Sequence, residues 1–172
     1  GLLTGGSFKS LGEMRFRGEW LMLLGFALQT VLPVIVPSGA LSDRAMVWVL
    51  WFLPGVILAI ALAFNWRRPG IAIAGIGVMF NLLVVGVNGG MPVLVAAATH
   101  ADIAVEGVLA QLEMSWLHVP AVPTTALLYL ADVLPVPGPS GWRGLASLGD
   151  FLLAVGVMHS VFTGMHGDEE YF

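Results

Sequence analysis

Four long apolar runs dominate this chain: Trp20 to Val36, Ala45 to Asn65, Ile71 to Val87 and Leu148 to Met165. At about 17–20 residues, each can cross a hydrocarbon core of roughly 30 Å as a helix. Only 10% of the 172 residues are charged and 58% are hydrophobic. Soluble domains carry about 25% charged residues, so too little polar surface exists to wrap such runs in water. The expected class is all-α: a polytopic transmembrane helix bundle, one membrane domain over residues 1–172, with four visible spans. Gly1 to Gly6 reads as the tail of a further helix, leaving a fifth span before Gly1 open.

The spans differ in character. Gln29 and Pro33 lie four apart in the first, where proline frees the Gln29 carbonyl and predicts a kink. Pro54 predicts another in the second, which Trp48 and Trp51 open at an interface. In the third, Ala74, Gly77, Asn81 and Asn88 share a face, so close helix approach with an amide bonding across the contact is expected. Gly156, Ser160 and Gly164 form a small-residue stripe on the last span, facing a helix of this chain or of a partner.

Alternating sides puts Lys9, Arg15, Arg17, Arg67 and Arg68 together, opposite Arg44 and Arg143. Cytoplasmic loops carry the excess of cations. The expected location is therefore a bacterial inner membrane, with both visible termini cytoplasmic and residues 89–146 outside.

That outer segment is expected to fold as a helical cap. Met91-Pro92 can begin a helix. Thr99 with Asp102 resembles a capping box ahead of an amphipathic helix carrying Val105, Val108, Leu109, Leu112 and Trp116. Thr124 or Thr125 can cap a second short helix over 126–133, and Pro135 to Gly141 reads as a rigid extended loop. Trp142 marks re-entry to the interface.

Several stretches resemble a known family. They are Gly5-Gly6-Ser7-Phe8-Lys9-Ser10-Leu11 with Arg15-Phe16-Arg17 and Trp20, then Asn88-Gly89-Gly90-Met91-Pro92-Val93, then Thr125 through Asp132 to Pro137, then Ser147-Leu148-Gly149-Asp150. Together they are similar to an uncharacterised family of bacterial polytopic membrane proteins, a domain of unknown function. The resemblance implies the fold and topology, and a further helix ahead of the Gly-Gly motif. It implies no reaction. Ala131 stands where the family pattern suggests Gly, and Ser7 where Arg is common.

Candidate chemistry sits mainly outside the membrane. Asn88, His118, Asp132 and Asp150 are the polar outer candidates. Two neighbouring carboxylates would push one pKa up and give a donor–acceptor pair. Asp150 alone suits the N-terminus of the last span as a cap. His118 with Asp102, Glu106 or Glu113 matches no standard metal spacing. His159, well inside the last span, is the candidate ligand for a pigment, with Gly156 making room for the ring. A bis-histidine haem lacks its second span histidine, a retinal Schiff base lacks a span lysine, and cysteine chemistry lacks cysteine. A net charge of −4 argues against nucleic acid.

The leading expectation is a non-catalytic accessory or scaffold subunit of a larger membrane complex, respiratory or photosynthetic among the options. Its partners would be membrane lipids and other membrane subunits, and the acidic tail Asp168-Glu169-Glu170 would offer a docking element. A membrane enzyme or carrier with a polar site at Asn88, Asp132 and Asp150 is the alternative. A pigment- or lipid-binding protein using His159 is the third.

Overall fold

A computed structural model describes residues 5–37, 42–139 and 143–167. The described chain is mostly helical. Helix α1 is Phe8–Glu13, α2 is Glu19–Ile35, α3 runs Asp43–Ala63, α4 is Ile71–Asn88, α5 is Val105–Met114 and α6 is Leu148–His166. Three of them, α3, α4 and α6, are long and apolar enough to cross a membrane, whereas α2 has 17 residues. Trp142 and the acidic tail lie outside the described residues, as do 38–41 of the turn before α3.

Both internal prolines are accommodated without ending a helix. α2 continues through Pro33 to Ile35. In α3, Val47–Phe52 is wound as a π-helix immediately before Pro54. There the Leu53 N–H donates to the Trp48 carbonyl, a wider turn that absorbs the donor missing at Pro54.

Helices α4 and α6 touch backbone to backbone. A methyl group on Gly156 would run into Gly70 and Ala74, and one on Gly77 into Gly149 and Leu153. The small-residue stripe therefore faces this chain's own helices: Gly156 meets α4, while Gly164 faces Met14 and Leu11 of α1. Gly25 of α2 approaches Pro54 and Leu58 of α3 in the same way. The outward faces stay apolar, with Trp20 75% and Val34 82% exposed on α2 and Met158 67% exposed on α6. Lipid, which needs no polar partner, suits such faces.

One end of the bundle gathers the cations. Asn65 bonds both ways with Arg17, accepting from its N–H at 2.8 Å and donating to its carbonyl at 2.7 Å. Arg68 donates to the Arg15 carbonyl. Ser7 N–H donates to Met165 O at 2.7 Å, tying α1 to the end of α6. Ser7 also caps α1 by accepting from Ser10 N–H at 3.1 Å.

At the other end the segment 89–146 corrects the helical-cap expectation. Met91–Val93 is a strand, β1, pairing in parallel with β2, His118–Pro120. On its other side β1 bridges to Asp132, whose N–H donates to Pro92 O at 2.9 Å. Strand β3, Leu134–Val136, pairs antiparallel with β4, Gly144–Ala146, where an unpaired loop was expected. Residues 126–133 hold only a 3₁₀ turn, Leu128–Leu130. The amphipathic helix is present as α5, but Thr99 and Asp102 form no capping box. Thr99 donates to Ala96 O, and Asp102 ends a 3₁₀ turn with a φ of 54°. Val108 of α5 packs with Val93 and Ala98 into a small core of the segment's own. Its base rests on Val47, Val84 and Val85, joined by Met91, Leu130 and Ala131. Ala131 has ordinary extended backbone, φ −77° and ψ −179°, so glycine is not required there.

Candidate functional site

Residues Ser147 to Asp150 open α6 with a full capping box. Ser147 Oγ accepts from Asp150 N–H at 2.9 Å, and Asp150 Oδ2 accepts from Ser147 N–H at 3.1 Å. This satisfies two helix-end donors and sets a negative charge at the positive end of the dipole. Asn81 then bonds across the α4–α6 contact, its Nδ2 donating to Asp150 Oδ1 at 2.7 Å and its Oδ1 accepting from Ser147 Oγ at 2.8 Å. Gly149 makes this possible, since a side chain there would strike the Asn81 amide. The amide expected to bridge helices is thus Asn81.

Asn88 does not join the carboxylates. Its Nδ2 donates to Val84 O at 2.8 Å and Ala126 O at 3.0 Å, and its Oδ1 accepts from Ala126 N–H at 3.1 Å. Both of its donors and one acceptor site are used, and two of the three bonds fasten residue 126 to the end of α4. Of the three residues expected to share a site, Asn88 makes no hydrogen bond to Asp132 or Asp150 among the described residues.

His118 and Asp132 are brought together by β1, which holds β2 on one edge and Asp132 on the other. His118 Nε2 lies 3.8 Å from Asp132 Oδ2. Ser115 orients the ring. Its Oγ accepts from the N–H groups of Leu117 and His118, at 3.3 and 3.0 Å, and lies 2.9 Å from His118 Nδ1. With both lone pairs taken, the hydroxyl gives its one hydrogen to Nδ1. A neutral ring then carries its proton on Nε2, facing Asp132.

Burial, reinforced by the Asp150 charge, pushes the Asp132 carboxyl up to about 7. Burial also lowers His118, partly offset by Asp150. Near neutral pH the Asp132 carboxyl is thus about half protonated beside a largely neutral His118, which weakens any ion pair between them. Asp132 is 6% exposed, and its Oδ1 is sealed from solvent with no hydrogen-bond partner among the described residues. An unmet buried acceptor costs about 1–3 kcal/mol.

These side chains border a cavity of ≈ 170 Å³. Gln111, His118, Asp132 and Arg143 supply its polar wall, and Val93, Ile103, Val108, Leu112 and Leu145 its apolar one. Arg143 pairs with Asp102 and donates to the Gly138 carbonyl, which commits its charge at the rim. The acids weighed with His118 for a metal do not gather around it. Among the described residues no group of three or more His, Cys, Asp or Glu side chains is placed to hold an ion. Gln111, Ser115 and Arg143 were missed by sequence reading, for they carry no motif.

His159 is exposed on α6, and among the described residues its ring has no hydrogen-bond partner. The space beside Gly156 is filled by α4, so it offers no room for a ring held by His159. An apolar groove of ≈ 630 Å³ lies instead between α3 and α4, lined by Trp48, Phe52, Met79 and Leu83 among others.

The chain belongs to a family of unknown function (DUF5317), whose profile matches residues 13–162. It is also similar to an uncharacterized protein of Thermotoga maritima, 28% identical over 159 residues, covering 91% of this chain and 80% of the relative. No solved structure matches it significantly.

Proposed function

We propose that this protein is a multi-pass bacterial inner-membrane protein that binds a small polar ligand in the Asp132 cavity, on the outer side, as a carrier or receptor. The observation that carries this reading is the Asp132 carboxyl itself. It is nine-tenths buried beside a cavity and receives no hydrogen bond from the described residues. Folding alone has no use for such a group, because replacing it with an apolar residue would remove its desolvation cost. A ligand that donates hydrogen bonds gives it one. The five clustered cations at the opposite end support an outer position for the cavity. No Ser, Thr, Cys or Lys lines the cavity among the described residues, which favours binding over nucleophilic chemistry.

The test is a small-molecule screen by saturation-transfer NMR on the purified chain and its Asp132→Asn variant. Ligands seen with the parent and lost in the variant are expected. If every compound treats the two proteins alike, the reading fails.

The accessory-subunit reading also has a specific observation in its favour. His159 is exposed at mid-span among Met158 and Phe162, where lipid offers an imidazole no partner. A neighbouring subunit's helix would. Purification in mild detergent tests it: co-purifying membrane protein is expected, released by His159→Leu. A monodisperse monomer counts against it.

A further inference from the structure

The cavity at Asp132 also indicates what kind of ligand it takes. This step rests on the ligand-pocket reading above. Asp132 has no hydrogen-bond donor on either oxygen among the described residues, and with Oδ1 sealed from solvent the cavity can supply one at Oδ2. His118 presents at most one N–H toward it, at 3.8 Å, too long for a hydrogen bond. Asp150, from the start of α6, adds a second negative charge that acts on both groups. The nearby cation, Arg143, is engaged by Asp102 and the Gly138 carbonyl. The remaining electrostatic demand is for positive charge. Metal ions are poorly served, since the described side chains provide no triad of ligands. Much of the remaining lining is aliphatic, with Val93, Val108 and Leu145. At interior packing density, ≈ 170 Å³ holds about 125 Å³ of ligand, roughly six to eight non-hydrogen atoms.

We propose that the cavity binds a small primary alkylammonium ion, its nitrogen on the Asp132 carboxyl and its alkyl body against Val93, Val108 and Leu145. Arg143 of the cavity wall is paired with Asp102, and an anion entering the cavity would meet the Asp132 carboxyl. Binding exchanges protons. Free Asp132 is mostly protonated below about pH 7, so an ammonium that pairs with the carboxylate displaces that proton to solvent. Release should approach one proton per ligand near pH 6 and fall toward none at about pH 9.

The experiment is calorimetry on the full chain in detergent, with isopentylammonium and its neutral counterpart 3-methylbutan-1-ol, in two buffers of different ionisation enthalpy. Binding of the amine at least about tenfold tighter than the alcohol is expected, with proton release near pH 6. Both effects should vanish in Asp132→Asn and persist in Glu113→Gln, a change on the solvent face of α5. Leu145→Phe, which fills the cavity, should weaken the amine while the carboxyl is intact, so a folding defect in the Asn variant cannot mimic the result. Equal binding of amine and alcohol without proton release overturns the cation and leaves the pocket standing. If neither compound distinguishes the parent from both variants, and the wider screen finds no ligand sensitive to Asp132→Asn, the pocket falls with it.

Discussion

Within segment 89–146, Asp132 is the buried side chain whose Oδ1 has no hydrogen-bond partner among the described residues. In an unfolded chain its carboxyl ionises near 3.8, and in the fold near 7. Between those values the folded protein keeps a proton that the unfolded one has lost. Stability therefore falls as pH rises through that window and levels off above about 7. His118 acts in the opposite sense, because its lowered pKa costs stability as pH falls below 6.5. Detergent unfolding of Asp132→Asn across this range should lack the first slope and keep the second. An infrared titration of the protonated carboxyl should show a midpoint of about 7, moved downward in Asp150→Asn, which removes a neighbouring negative charge. An unmoved midpoint would mean the two acids do not interact. Asn88 carries a different prediction. Asn88→Ala strips residue 126 of both side-chain bonds, so amide exchange there should rise, with about 1–3 kcal/mol of local stability lost. Sequence could name both asparagines of α4 but not sort them. Asn81 and Asn88 lie two turns apart on one face, and which one meets Asp150 depends on the register of α4 against α6.

Register is a property of elements, and here glycine fixes it. Gly77 faces Gly149, and Gly70 and Ala74 face Gly156, so the two helices lock at two heights. Gly156→Val drives a side chain into backbone that cannot yield, and should cost about 1–3 kcal/mol or more while loosening the Asn81–Asp150 bond. Gly164→Ala should cost less, since its nearest obstacle is the flexible end of Met14. Equal losses for the two variants in detergent unfolding would contradict this order. The stripe was legible because its spacing repeats. The strands were not, because each has only three residues and no periodicity can emerge. Met91-Pro92 suits a helix start as well as a strand. What decides is Gly89, which closes α4 at a φ of 72°, and Gly90, which lets the chain pass the Leu117 carbonyl. Pro92 is tolerated in β1 because its carbonyl, not its nitrogen, serves the bridge to Asp132.

At the scale of the molecule, the question is how many helices cross. α2 is about 26 Å long at 1.5 Å per residue, slightly short of the bilayer core. Length alone leaves it undecided, and parity supplies a further argument. Ser7 bonds to Met165, so the start of the described chain and the end of α6 lie on the same side of any membrane. An even number of crossings must separate them. If α3, α4 and α6, the three helices long and apolar enough, all cross, α2 is required as the fourth. The chain contains no cysteine, so single cysteines placed at Lys9 and His100, both exposed, report this directly. A membrane-impermeant maleimide should label Cys at 100 in intact spheroplasts, and Cys at 9 only after permeabilisation. If both label from the same side, α2 does not cross, and the bundle would have to open at the Ser7–Met165 contact. A double variant with cysteines at 9 and 166 separates the cases. Labelling of both from the same side is expected, as the contact between α1 and α6 requires, and labelling from opposite sides would show that the contact opens and that α2 does not cross.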